Sequence, residues 1–184
     1  DIIALNLPVF FLDGLMSRFW VKKVEGIKPY VPGEQPESCS VVKLNTNEHA
    51  LEPSNSVMAA IARVQADQLR RYPDPLAIDL RKAIADSEGL SAAQVFVGNG
   101  SDEVLAHSWS AYLLGRTVQT LDTTYGFYPV WADLYDSQLI EVPLQRDFSV
   151  DIAALCDSPH PVVLANPNAP TGIALSVGEI ESLV

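Results

Sequence analysis

The sequence predicts an α/β fold: an incomplete three-layer sandwich built on a mostly parallel sheet. Two observations predict it. From residue 95 onward, short β-branched runs alternate with segments whose apolar residues recur at helical spacing, as in parallel crossover units. Most of these runs also give way to turns of glycine, asparagine or proline, the punctuation of strand-to-helix connections.

In chain order, residues 1–16 read as an N-terminal extension or remnant ahead of a natural start at Met16. Their apolar opening has no basic lead and contains Pro8 and Asp13, so it does not read as a signal peptide. Residues 17–53 are rich in proline, glycine and polar residues and read as an extended arm. Residues 54–94 read as a helical segment. In it, Ser54 or Ser56 caps a helix carrying Val57, Ile61 and Val64, and a second helix carries Leu76, Leu80 and Ile84 up to a stop at Gly89.

Residues 95–184 read as the first part of the main domain. Val95-Phe96-Val97 is expected to be a buried strand, followed by a helix from Asp102 to Gly115 with Val104, Leu105, Trp109, Tyr112 and Leu113 on one face. Thr117–Leu121 is the next strand, then a helix through Val130, Trp131 and Leu134, then a strand at Leu139–Val142. A short helix after Val150 leads to a fourth strand, Pro161–Ala165, and Ser176 with Glu179 forms a capping box for the last helix. That helix has no return strand before Val184, so the chain reads as truncated.

Bulk properties narrow the function. The net charge of -11 disfavours nucleic acid and anionic membrane surfaces as partners. No segment has the length of a membrane-spanning helix. Cys39 and Cys156 are far apart and read as reduced thiols of a cytoplasmic protein. His49, His107 and His160 are isolated, so neither metal-ligand spacing nor a nucleophile triad is visible.

Three turns carry candidate chemistry. Gly98-Asn99-Gly100-Ser101-Asp102-Glu103 lies between a strand and a helix, where glycines permit close approach and helix N–H groups attract an anion. It reads equally as a glycine turn before a helix that Ser101 caps. The P-loop pattern fails, and a dinucleotide site would need glycine at Glu103, although Asp122 stands where a ribose-binding acid would. Thr124-Tyr125-Gly126 places an aromatic after a strand, suited to stacking on a flat ring or to plain packing. Asn166-Pro167-Asn168-Ala169-Pro170-Thr171-Gly172 is a rigid turn whose amides can hold a ring oxygen, or simply a strand-to-helix turn.

Taken in order, these turns resemble the signatures of histidinol-phosphate aminotransferases, together with Ile27-Lys28-Pro29-Tyr30-Val31-Pro32-Gly33, Lys43-Leu44-Asn45-Thr46-Asn47-Glu48 and Arg71-Tyr72-Pro73-Asp74-Pro75. The resemblance covers residues 17–184. It implies an aspartate aminotransferase-like, fold-type-I enzyme that uses pyridoxal 5'-phosphate (PLP). It implies a homodimer exchanging the amino group between histidinol phosphate and 2-oxoglutarate, or imidazole-acetol phosphate and glutamate, in histidine biosynthesis. Residues 54–94 would then be linking helices or part of a small domain. By position, Gly100, Ser101 and Asp102 would cradle the cofactor phosphate and Tyr125 would stack on its ring, while Tyr30 and Asn47 would reach substrate.

Two positions depart from the family. Leu51 replaces a tyrosine that crosses to the partner subunit's phosphate site, and Ala169 replaces an asparagine that meets the ring oxygen, a role passed to Asn168. The cofactor-anchoring lysine, the aspartate for the ring nitrogen and the arginine for the substrate carboxylate are expected downstream. None of Lys22, Lys23, Lys28, Lys43 or Lys82 has the required Ser-Lys context, so this segment is expected not to transaminate alone. Other fold-type-I aminotransferases, a phospho-amino-acid decarboxylase and a non-catalytic binding module remain alternatives.

Overall fold

A computed structural model of the chain describes residues 19–28, 30, 33 and 41–184. The expected extension 1–16, Met16, Cys39 and most of the arm before Val41 lie outside the described residues. The described residues form two units, one of residues 19–28 with Leu113–Val184 and one from Tyr30 to Tyr112.

In the first unit, β1 (Thr117–Leu121) and β2 (Gln138–Val142) pair in parallel, from Thr117 opposite Gln138 to Leu121 opposite Val142. The crossover is α6 (Tyr128–Leu134), which packs on β2. On its other edge β1 meets Val162 in a single parallel bridge: Gln119 N–H donates to the Pro161 carbonyl at 2.8 Å, and Val163 N–H donates to the Gln119 carbonyl at 2.9 Å. The expected fourth strand is thus reduced to one bridge among the described residues. Flanked on both sides, Val118, Gln119, Thr120 and Leu121 are all buried.

Leu121, Val142 and Leu155 form the core here, with Leu144, Val150, Ala154, Val162, Leu164 and Leu183 packed around them. Removing a side chain such as Leu155 from water contributes about 1.5–3 kcal/mol. Gln119 is buried without penalty, since its Nε2 donates to the carbonyls of Leu155 (3.1 Å) and His160 (3.3 Å). Two short helices complete the unit's C-terminal part: α7 (Ile152–Cys156), capped by Asp151, and α8 (Val177–Leu183). The expected capping box is present, with the Glu179 carboxylate accepting the Ser176 N–H at 2.7 Å and Ser176 Oγ accepting the Glu179 N–H at 3.3 Å. Near the start of the described chain, α1 (Lys22–Gly26) is tied to this unit by an ion pair between Lys23 and Asp136.

The second unit is helical. Ser54 caps α2 (Asn55–Ala62), and Val64 falls beyond its end. A single turn, α3 (Ala66–Leu69), precedes α4 (Ile78–Glu88), which excludes the expected Leu76. The start of α4 is held by Asp74, whose carboxylate accepts the N–H groups of Leu76 (3.0 Å) and Ile78 (2.7 Å). Gly89 closes α4 at φ 67°, as expected of a glycine stop.

Val95-Phe96-Val97 is not a strand. It has no ladder partner among the described residues, and Phe96 is 62% exposed. Instead Arg81 of α4 reaches across to the carbonyls of Val95 (2.8 Å) and Ala92 (2.6 Å), the latter in a 3-10 turn at Ala92–Gln94. At Val95 a guanidinium satisfies an acceptor that a neighbouring strand would otherwise meet. The next helix also differs from expectation: α5 (Ser101–Ser108) passes into a π-helical turn, Trp109–Leu113, and Tyr112 is exposed rather than buried.

Candidate functional site

The glycine loop is built around an unusual helix start. Gly100 is the N-cap of α5 at φ 84° and ψ 169°, a conformation essentially restricted to glycine, and no side chain caps the helix there. Ser101, expected to be the cap, is instead the first helical residue. Asp102 and Glu103 occupy the first turn, and the Glu103 carboxylate folds back to accept the Asn99 N–H. Gly98 sits in a tight place: a Cβ there would come to 3.0 Å from Val104 Cγ2 and 3.1 Å from Glu103 Oε2, and these side chains would have to give. The N-cap glycine thus brings no side chain to the positive end of the helix dipole, an arrangement that leaves room for a phosphate.

The other candidate residues lie in the unit of β1. As β1 ends, the Asp122 carboxylate accepts the Leu144 N–H at 3.2 Å, tying it to the segment after β2. That engagement fits a structural role better than the ribose contact a dinucleotide enzyme would need. Tyr125 is half-buried, stacked on Phe127 (centroids 6.1 Å apart) and edge-on to Tyr128 (5.6 Å). The row continues through Trp131 to Tyr135. Burial pushes the Tyr128 hydroxyl above the ordinary tyrosine range, so it stays neutral.

Asparagines close the turn after the Val162 bridge. Asn166 acts like a strand partner for Leu175: its Oδ1 accepts the Leu175 N–H at 2.8 Å and its Nδ2 donates to the Leu175 carbonyl at 3.3 Å. Asn168 is 3% exposed. Its Nδ2 donates to the Thr123 carbonyl at 2.9 Å and to Thr171 Oγ1 at 3.2 Å, and its Oδ1 accepts the Thr124 hydroxyl at 2.8 Å. Its backbone pairs with Ile173 (2.9 Å) and Gly172 (2.7 Å). Thr124, Asn168 and Thr171 are therefore brought together. Sequence reasoning missed both asparagine ties, although asparagine beside proline in a turn was the available signal.

Asn47 is exposed, at φ 55° beside Thr46 at φ 61°. The turn is fastened by the Lys43–Glu48 ion pair. The hydrogen bond from Lys43, then its charge, holds the Glu48 carboxyl below its usual range. Tyr30 is 37% exposed, and Leu51 is 75% exposed. No group of three or more His, Cys, Asp or Glu side chains among the described residues could hold a metal ion.

The family described as aminotransferase class I and II matches residues 40–184. Histidinol-phosphate aminotransferase 2 of Gluconobacter oxydans (strain 621H) is 49% identical over 170 residues, which cover 92% of this chain and 48% of that protein. The chain spans about half the length of the curated relatives it matches. Among solved structures, histidinol-phosphate aminotransferase from Sinorhizobium meliloti in complex with pyridoxal-5'-phosphate aligns at TM-score 0.66 and 29% identity, over 76% of this chain and 40% of that one. A Thermus thermophilus aspartate aminotransferase mutant aligns at TM-score 0.72 and 22% identity, over 91% of this chain and 47% of that one, a likeness of fold.

Proposed function

The chain belongs to the class I and II aminotransferases, and on that premise we propose that it is part of an enzyme transferring an amino group between L-histidinol phosphate and 2-oxoglutarate with PLP as cofactor. The observation that carries this reading is the glycine loop opening α5, whose N-terminus has no side-chain cap, in a chain closely similar to histidinol-phosphate aminotransferases. When bound, PLP supplies an electron sink, and the protein orients it.

On this reading Gly100, Ser101 and Asp102 hold the cofactor phosphate at the start of α5. Tyr125 lies against the ring face, and Asn168 stands beside the loop that carries it. Tyr30 and Asn47 meet substrate. The cofactor-anchoring lysine, the acid for the ring nitrogen and the arginine for the substrate carboxylate come from the part of the relatives' length that this chain does not span. Residues 17–53 act as an arm, 54–94 as helices of or beside a small domain, and 95–184 as the first part of the cofactor domain. The assembly is a cytoplasmic homodimer.

The test is spectral and kinetic. The full-length protein titrated with PLP is expected to develop a visible cofactor band and to turn over histidinol phosphate far faster than aromatic amino acids. A band with preference for another amino acid assigns a different aminotransferase. Absence of any band removes the cofactor reading.

A further inference from the structure

We propose that Asn168 is a positioning residue: it clamps the loop after β1, which carries Tyr125, to the turn at 166–176, and gives no hydrogen bond to the cofactor. The inference rests on the PLP reading for what the loop carries, but not for the clamp itself.

An asparagine amide has two N–H donors, and both are engaged inside the chain, on the Thr123 carbonyl and Thr171 Oγ1. Its oxygen takes the Thr124 hydroxyl. The side chain thus grips two consecutive residues of one loop and one residue of the other, from a position only 3% exposed. Reaching a ring oxygen would require breaking one of these bonds and leaving a partly buried carbonyl or hydroxyl unpaired. Asn166 does not duplicate the clamp, because it bonds only within its own turn, to Leu175. Tyr125 follows Thr124 directly, so the orientation of the ring-facing aromatic depends on the Asn168 amide.

The experiment compares Asn168→Ala, Thr124→Val, the double variant and Thr124→Ser in the full-length holoenzyme. Amide hydrogen exchange is followed in peptides covering 122–128 and 166–175. Asn168→Ala should speed exchange in both segments by about tenfold, Thr124→Val should do so less, and the double variant should match Asn168→Ala, because the two act through one contact. Thr124→Ser keeps the hydroxyl and should resemble the parent. PLP should dissociate faster in the same order, while the pH midpoint of the cofactor's visible absorbance stays where it was. A midpoint moved by Asn168→Ala, with exchange at 122–128 unchanged, would mean direct cofactor contact and overturn the proposal. Additive effects of the two substitutions would overturn it as well. If the parent protein takes up no PLP, the cofactor reading fails while exchange still decides the clamp. Should Asn168→Ala not fold, Thr124→Val against Thr124→Ser carries the same decision.

Discussion

The loop at 98–103 and the turn at 166–176 each lead into a helix, yet they treat their polar atoms in opposite ways. The turn closes on itself. Asn166 bonds to Leu175, Asn168 to the neighbouring loop, and the capping box of Ser176 and Glu179 covers the start of α8. The loop closes at Asn99, through Glu103, and at Gly100, whose N–H donates to the Gly98 carbonyl at 3.1 Å, and it begins α5 at a glycine with no side-chain cap. A turn whose amides and hydroxyls are engaged sets positions, whereas a helix start without a cap has N–H groups to offer. Holding and binding are thus divided between two turns that each contain asparagine and glycine ahead of a helix, one of them stiffened by Pro167 and Pro170.

That contrast can be broken at either end. The largest effect is expected from Asn168→Asp, which removes both donors and leaves a buried carboxylate facing the Thr123 carbonyl; denaturant unfolding should show a loss of about 3–5 kcal/mol. Gly100→Ala should cost about 1–3 kcal/mol through backbone strain alone, since a Cβ there meets nothing within 4 Å. Inorganic phosphate titration should show weakened anion binding in the same variant. Ser176→Ala removes one cap and should cost about 1 kcal/mol in a thermal melt.

The smallest effect is pH-dependent. The Ser176 hydroxyl, then its N–H, holds the Glu179 carboxyl below its usual range. Its support for α8 is therefore complete above the ordinary glutamate value of about 4.3 and fades as pH falls through the lower, folded value. Exchange at the α8 amides should accelerate only in that acidic window, and Ser176→Ala should shift its onset upward.

Much of this organisation was legible in the residues. Thr117–Leu121 is a strand over the expected range, paired with β2. Gly89 takes the left-handed stop and the Ser176 capping box forms, because these two rest on local chemistry that the neighbouring few residues complete. Val95–Val97 was misread because a β-branched, apolar run shows propensity but not a partner, and Arg81, fourteen residues earlier, takes the Val95 carbonyl. The family resemblance gives the glycine loop and Tyr125 their expected roles, as phosphate cradle and ring face. It did not show where the Asn168 amide goes, since that contact joins residues more than forty positions apart.

The Arg81 contact has a consequence for association between chains. An extended, apolar stretch such as Val95-Phe96-Val97, with Phe96 exposed, is a template on which another molecule could add a strand. By occupying the Val95 carbonyl, Arg81 removes an acceptor that such an addition would use and places a cation beside it. The side chain that anchors this segment therefore also makes it a poorer template for strand addition.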